Sequence, residues 1–495
     1  MPVTRRVRFG LWVGLVALIL MGQPVWMAML RGPRVLDHDA LLIGGHLLFT
    51  AALAAMLLLL RTTPGDAIRL KPVISRAIIL IGAVILQGAA IVLLWPGLSD
   101  DLVRYRLEGR MWLDGVSPYA TSPADYMASH PQAVDGIDRT ITYAQMQTIY
   151  PPVAQAMFTA GRWIEQVVAT TLQAEPPAET AASWRELLGA LPGWRRGLVF
   201  RVMLGATAIA ATAVLLRLLQ AHGRSPWYAA LAAWHPLTIV ECGGMGHVDV
   251  LGVALILAAM LDALRSRART AGVLLGLAMA VKPQAALLLP FLWRQTWESR
   301  RASRWALPLA AIGVAGVLYA AALIYQSGYT GWSHTTATYS RHWEANGSIY
   351  ELLKWSIGRD DDHQIVLAKR IARSIPPVIV LITGVLLWRR GAAPSTAMYA
   401  LNLALLLPSA TVYPWYLLWM LWMIPLLQPP AGWSGLIWSG TVAISYLLWH
   451  QPTWNLPAWA SVAEYTPVYV VVAAEGAIAL RGRSDRSPQL RVASC

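Results

Sequence analysis

Long apolar runs alternate with short Arg-rich segments along most of this chain. The runs predict membrane helices at roughly 9–30, 40–60, 77–95, 198–219, 227–242, 249–264, 305–325, 376–390, 396–411, 414–428, 436–450 and 467–480, with a hairpin of two half-length helices at 271–293. Counting the hairpin as two gives about 14 crossings. Several runs fall short of the ~20 residues a perpendicular span needs, so tilt, burial or extension into the flanks is expected. Two long polar segments, 96–197 and 326–375, interrupt the series. Within the first, the run 151–171 carries Arg162, Glu165 and Gln166. It is read as an amphipathic helix lying on the membrane surface, because counting it as a span would invert the charge pattern downstream. A shorter surface helix is expected at 183–190, between Glu175-Pro176-Pro177 and Pro192-Gly193. The fold class is thus an all-α polytopic membrane protein with two large outer loops carrying interfacial helices.

Composition supports this. Of 495 residues 56% are hydrophobic and only 13% charged, where a soluble protein carries about 25% charge. The net charge of +14 is concentrated near 5–8, 61–76, 217–224, 265–269, 294–304, 389–390 and 481–491. That distribution follows the positive-inside pattern, placing both termini in the cytoplasm and the two long loops outside. The clusters flank apolar spans and form no continuous basic face, which argues against nucleic-acid binding. The first run follows Arg5, Arg6 and Arg8, but it is long for a signal peptide and Pro24-Val25-Trp26 is a poor cleavage site, so it is read as a retained helix. Two cysteines, Cys242 and Cys495, offer neither a disulfide framework nor zinc spacing. No soluble domain of independent size and no repeat at a fixed period is visible.

The polar positions at span ends carry the chemistry. Asp100 and Asp101 open the first long loop, and a carboxylate pair at a membrane boundary is costly and usually functional. Such a carboxylate can serve as a general base. The spacing 99–114 is helical, with Arg104 four residues from both Asp100 and Glu108, so Arg104 is expected to orient the acids. The same pattern also suits a helix cap with acids at the positive dipole end. Tyr105 follows on this helix. Gly115-Val116-Ser117-Pro118-Tyr119 forms a turn, and Tyr150-Pro151-Pro152 opens the amphipathic helix. Gly243-Gly244-Met245-Gly246-His247-Val248-Asp249 links two apolar runs, with His247 and Asp249 at the outer end of the second. Val281-Lys282-Pro283-Gln284 sits at the apex of the half-length hairpin, like the broken helices that line membrane cavities. A buried Lys282 there needs an anion, and a lipid phosphate would serve. In the second loop Arg341 and His342, beside aromatic residues, suit a phosphosugar. Tyr413-Pro414-Trp415-Tyr416 marks an outer helix junction that an aromatic belt explains equally well.

Taken in order, the acidic pair, Ser117-Pro118-Tyr119, Tyr150-Pro151-Pro152, Gly246-His247-Val248-Asp249, Val281-Lys282-Pro283, Arg341-His342-Trp343 and Tyr413-Pro414-Trp415-Tyr416 resemble the GT-C superfamily of integral-membrane glycosyltransferases. The chain looks most similar to bacterial polyprenol-phosphate-mannose-dependent mannosyltransferases and, more distantly, to the first mannosyltransferase of GPI-anchor synthesis. The similarity runs from about 96 to 430. It implies a catalytic core at 77–430, preceded by N-terminal helices at 1–76 and followed by C-terminal helices and a basic cytoplasmic tail at 431–495. It further implies a polyprenyl-phosphate sugar donor, a glycan or glycolipid acceptor, inversion at the anomeric carbon, and a catalytic acid that falls on Asp100 or Asp101. The distant relatives carry Asp-X-Asp where this chain has adjacent acids, which leaves the choice between the two open. Arg341, His342 and Lys282 become candidates to stabilise the leaving phosphate. Arg104, Tyr105, Glu108, Tyr150, His247, Asp249, Gln284, Tyr413 and Trp415 become candidates to line the substrate pocket. No cofactor is required. A divalent metal near Asp100, Asp101 and His247 is compatible with the reaction but not needed by it. The rival readings are a transporter or flippase of a lipid-linked saccharide, a transferase of aminoarabinose or another non-hexose sugar, and a non-catalytic assembly factor.

Overall fold

The computed structural model describes residues 5–30, 38–62, 70–133, 141–173, 197–298, 304–357, 362–451 and 454–484. Among them the chain is helical, and the only β-type pairing is an isolated bridge between Ala345 and Thr411. Among the described residues seven helices are long and apolar enough to cross a membrane: Val7–Met29, Asp39–Thr62, Pro72–Leu93, Leu198–Ala221, Ala306–Ser327, His363–Arg389 and Ala458–Ala479. An eighth crossing is obtained if Pro236–Gly244 and Asp249–Leu264, bent by 116° at their junction, count as one broken span. The protein is therefore a multi-pass membrane protein.

Seven or eight full-length helices among the described residues account for part of the expected 14 crossings, and proline explains why several other expected spans are not continuous helices. Pro226 and Pro236 cut the expected span 227–242 into a 3-10 turn Pro226–Ala229, two single-turn helices and a π-helical turn Val240–Gly244. Proline lacks the N–H a helix interior requires. Pro414 and Pro425 do the same to 414–428, and the stretch 436–450 becomes the helix Trp433–Thr441 followed by a 3-10 run Val442–His450. The run 396–411 ends as a helix at Leu406. The expected hairpin is present as Ala268–Met279, a turn at Lys282, a 3-10 segment Pro283–Leu288 and a helix Leu289–Glu298.

Broken helices expose carbonyls that lipid cannot satisfy, and arginines take them up. Arg201, fully buried, donates to the carbonyls of Ala90, Leu94 and Gly243 at 2.7–2.9 Å. Arg224 donates to Leu427 O at 2.7 Å and Arg61 to Ala431 O at 3.0 Å. The two N-terminal helices join the same core: Gln23 donates to Trp234 O at 2.8 Å, and Trp12, Trp227 and Trp234 pack edge to face.

Among the described residues the first long loop holds the helices Asp101–Leu113, Pro123–Ser129 and Pro152–Gln173. The region expected to carry a helix at 183–190 lies outside the described residues. Helix Pro152–Gln173 lies against helix Asp101–Leu113, and Gly109 permits the approach: a Cβ there would sit 2.3 Å from Phe158 O. Tyr105 stacks on Phe158 at 4.1 Å, Arg106 pairs with Glu165 at 3.1 Å, and Val153 N–H donates to Ala280 O at 2.8 Å, tying the loop to the hairpin. The second loop contributes Tyr329–His342 and Ile349–Ile357. Both loops meet over the same end of the helical bundle.

Candidate active site

A cavity of about 650 Å³ opens between the two loops. Its walls come from the start of helix Asp101–Leu113, the 142–151 segment, the hairpin apex, helix Tyr329–His342 and the Tyr413–Tyr416 junction. The lining is largely aromatic. Tyr413 and Trp415 stack at 4.7 Å, Tyr339 and Trp343 at 5.1 Å, and the Tyr339 and Tyr416 hydroxyls share a hydrogen bond at 2.8 Å. Such faces suit the C–H surfaces of a sugar as well as an apolar chain.

Asp100 and Asp101 both line the cavity but differ in setting. Asp100 accepts the Thr142 hydroxyl. Asp101, first residue of its helix, donates its backbone N–H to Ser99 Oγ at 3.1 Å, and its carboxylate lies 3.8 Å from His247 Nε2. Burial pushes the Asp101 carboxyl up to about 6; His247 and the Tyr150 hydrogen bond pull it down, while Asp100 and Asp249 push it further up. A carboxyl titrating there is ionised at neutral pH yet basic enough to accept a proton, the property of a general base.

Across the cavity Lys282 forms the second charged feature. Its ammonium pairs with Asp249 at 2.6 Å and sits 3.6 Å over the Tyr416 ring. Asp249 also accepts from the Trp419 indole at 2.7 Å. The Lys282 side chain keeps 24% of its surface accessible, enough to meet an anion while its charge is held in place.

Nine of the expected site residues line this one cavity: Asp100, Asp101, Arg104, Tyr105, Tyr150, Asp249, Lys282, Tyr413 and Trp415. The remaining five, Glu108, His247, Gln284, Arg341 and His342, do not line it. Arg104 does not orient the acids; it turns to Glu108 at 2.7 Å and to the carbonyls of Met146 and Gln147 at 2.6 and 3.2 Å. Glu108 is fully buried, accepting from Arg104, Thr148 and Gln155, so it fixes the loop rather than facing substrate. Gln284 points away and donates to Asn402 at 3.0 Å. Arg341 and His342 are exposed at the C-terminal end of their helix, outside the cavity. His247 is buried just behind Asp101, stacked on Trp415 at 3.8 Å. Among the described residues no group of three or more His, Cys, Asp and Glu side chains is arranged to hold a metal ion.

Sequence reasoning missed Trp332, Thr335 and Thr336, which with Tyr339 line the cavity from one helix face. Their three- and four-residue spacing is a helical stripe that was legible. It also missed Glu241 and Arg201, lone charges inside apolar runs, a pattern that marks functional or structural anchors.

Residues 11–298 match the family model described as the N-terminal domain of alpha-(1->6)-mannopyranosyltransferase. The chain belongs to that family. Residues 187–414 also match glycosyltransferase family 87. Over 366 residues the chain is 26% identical to alpha-(1->6)-mannopyranosyltransferase A of Mycobacterium tuberculosis, a match that covers 67% of this chain and 62% of that relative. The chain thus aligns with less than two thirds of the relative's length. The stretch matched to the mannopyranosyltransferase family contains Asp100, Asp101, His247, Asp249 and Lys282, and the family 87 stretch adds Tyr339 and Tyr413.

Proposed function

We propose that this protein transfers a mannosyl group from a polyprenyl-phosphate donor to a hydroxyl of a glycan or lipid acceptor, inverting the anomeric carbon. Asp101 takes the proton from the acceptor hydroxyl as its oxygen bonds to C1. The bond from C1 to the phosphate oxygen breaks, and polyprenyl phosphate leaves with the electron pair. Lys282 meets the charge growing on that phosphate. Asp249, Trp419 and Tyr416 hold the ammonium in place, so little reorganisation is needed during the reaction. Asp101 is preferred to Asp100 as the base because Asp100 is engaged by Thr142 at the outer edge. The reading rests above all on one observation: a single aromatic cavity is lined by both Asp101 and Lys282. Mannose as the sugar rests on family membership and on the relative's name.

The reading includes an orientation in the cytoplasmic membrane, with both termini cytoplasmic and the cavity opening to the outer face. The basic clusters support it. Labelling by an impermeant thiol reagent checks it: His130→Cys should react from outside, and Arg267→Cys only after permeabilisation. The reverse pattern would contradict the orientation.

Purified protein given polyprenyl-phosphate [¹⁴C]mannose of β configuration and a native lipid extract tests the reaction itself. Label should appear in an α-linked product, without a nucleotide sugar. Transfer only from a nucleotide sugar, or retention of the β anomer, would overturn the proposal.

A further inference from the structure

We propose that Glu241, acting through His247, is a positioning residue that holds Asp101 as an ionised base; the inference rests on the functional reading above. Glu241 is fully buried and does not line the cavity. It sits in the π-helical turn Val240–Gly244, where the broken span bends. A carboxylate at such depth is tolerated when it is paired and hydrogen-bonded. Here its Oε2 lies 2.6 Å from His247 Nδ1, and its Oε1 accepts the Tyr446 hydroxyl. The other imidazole nitrogen, Nε2, faces Asp101 at 3.8 Å.

The local backbone is built to present the ring in this way. His247 N–H donates to the Glu241 carbonyl at 2.8 Å, so the two residues are linked through main chain and side chain alike. Gly246 takes φ +77°, which a residue with a Cβ rarely adopts, and a Cβ there would also meet Leu102 at 3.1 Å and Arg201 at 3.3 Å. Trp415 stacks on the imidazole at 3.8 Å and 13°, which restrains ring rotation. Arg201 anchors the same turn through Gly243 O.

The imidazole ring thus lies between two carboxylates. Nδ1 lies against Glu241 and Nε2 faces Asp101, so a positive charge on the ring is favoured by both carboxylates and acts in turn on the base. Other charged and titratable groups act on the base too. Asp100 and Asp249 raise its proton affinity, and Tyr150 hydrogen-bonds to its carboxylate. Lys282 is taken up by Asp249. His247 is thus the basic side chain that faces Asp101 directly, and Glu241 is what fixes it. Without the Glu241 side chain the ring loses one of the two carboxylates that favour its positive charge, and Asp101 would hold its own proton to higher pH.

Glu241 could instead merely close the turn, and a pH profile separates the two roles. The full chain in lipid nanodiscs is assayed with polyprenyl-phosphate mannose for wild type, Glu241→Gln, His247→Gln and Tyr446→Phe. For Glu241→Gln the acid limb of kcat/KM should move up by about one pH unit, with kcat at pH 7 down about twofold and donor KM within about twofold of wild type. His247→Gln should move the limb in the same direction, and it decides the matter if Glu241→Gln does not fold. Tyr446→Phe removes only the hydroxyl bond to Glu241 and should give a smaller shift of the same sign. An unmoved limb in Glu241→Gln and His247→Gln, with wild type active, overturns this inference alone. A wild type that transfers no hexose from any polyprenyl-phosphate donor overturns the functional reading and the inference together.

Discussion

Two carboxylates in the two long loops have opposite settings. Asp101, at the cavity, has its carboxyl pushed up to about 6 by burial, against the pull of His247 and with a further push from Asp100 and Asp249. Glu344, in the second loop, is also partly buried, but hydrogen bonds from Lys369, Tyr350 and Lys354 overcome that burial and hold it down to about 2. Arg373 joins it at 3.2 Å, and Arg373 and Thr411 also donate to the neighbouring Trp343 carbonyl. Trp343 lines the cavity. One acid is kept able to take a proton, and the other is committed to cations as a strut for an aromatic wall. Residue type alone does not separate a base from a brace; the charges facing each carboxylate do.

The contrast is broken most severely by removing the proposed base. Asp101→Asn should lower kcat by about 10³-fold, within the range of general-base catalysis. It should not destabilise the protein at pH 7. A carboxyl whose folded pKa is raised stabilises the fold at low pH, and that contribution is lost as pH rises through about 6, so the neutral amide removes a cost. A thermal melt beside the assay checks both halves. Lys282→Met comes next, with kcat down about 10²-fold if the ammonium faces the leaving phosphate. Binding of unreacted donor by equilibrium dialysis should change less than kcat does.

Glu344→Gln should act in the opposite sense to Asp101→Asn. Its depressed carboxyl contributes stability that is fully present above about 4.5 and lost as pH falls through about 2. The variant should melt a few degrees lower at pH 7 and keep the wild-type acid limb of kcat/KM. For wild type that limb should show activity rising with pH through about 6, with the apparent value belonging to the Asp101, Asp100 and His247 cluster as a whole. Asp100→Asn is the mildest change, with kcat within about threefold of wild type and the limb moved slightly to lower pH, because one like charge is gone.

Much of this architecture was legible in the sequence. Apolar runs located the long helices, and Pro283 after Lys282 marked the apex of the half-length hairpin. The acidic pair after 78–95 located one cavity wall. The errors have physical causes. Arg341 and His342 drew attention as charges near aromatic residues, but helical period carries Trp332, Thr335, Thr336 and Tyr339 inward and leaves those two on the outside. Arg104 stands four residues from both Asp100 and Glu108, and spacing cannot say which it will choose; the Met146 and Gln147 carbonyls draw it to the Glu108 side. Prolines inside apolar runs turned expected spans into short broken pieces. Glu241 finds Tyr446 more than two hundred residues away, a pairing only the fold can supply.

The central claim is that Asp101 is the base and Asp100 is not. Single-turnover transfer from radiolabelled polyprenyl-phosphate mannose, run side by side with wild type, Asp101→Asn and Asp100→Asn at equal folded concentration, tests it most directly. The account predicts that label transfer falls about 10³-fold for Asp101→Asn and stays near the wild-type rate for Asp100→Asn. Near-normal transfer by Asp101→Asn, or a deeper loss in Asp100→Asn, would contradict it.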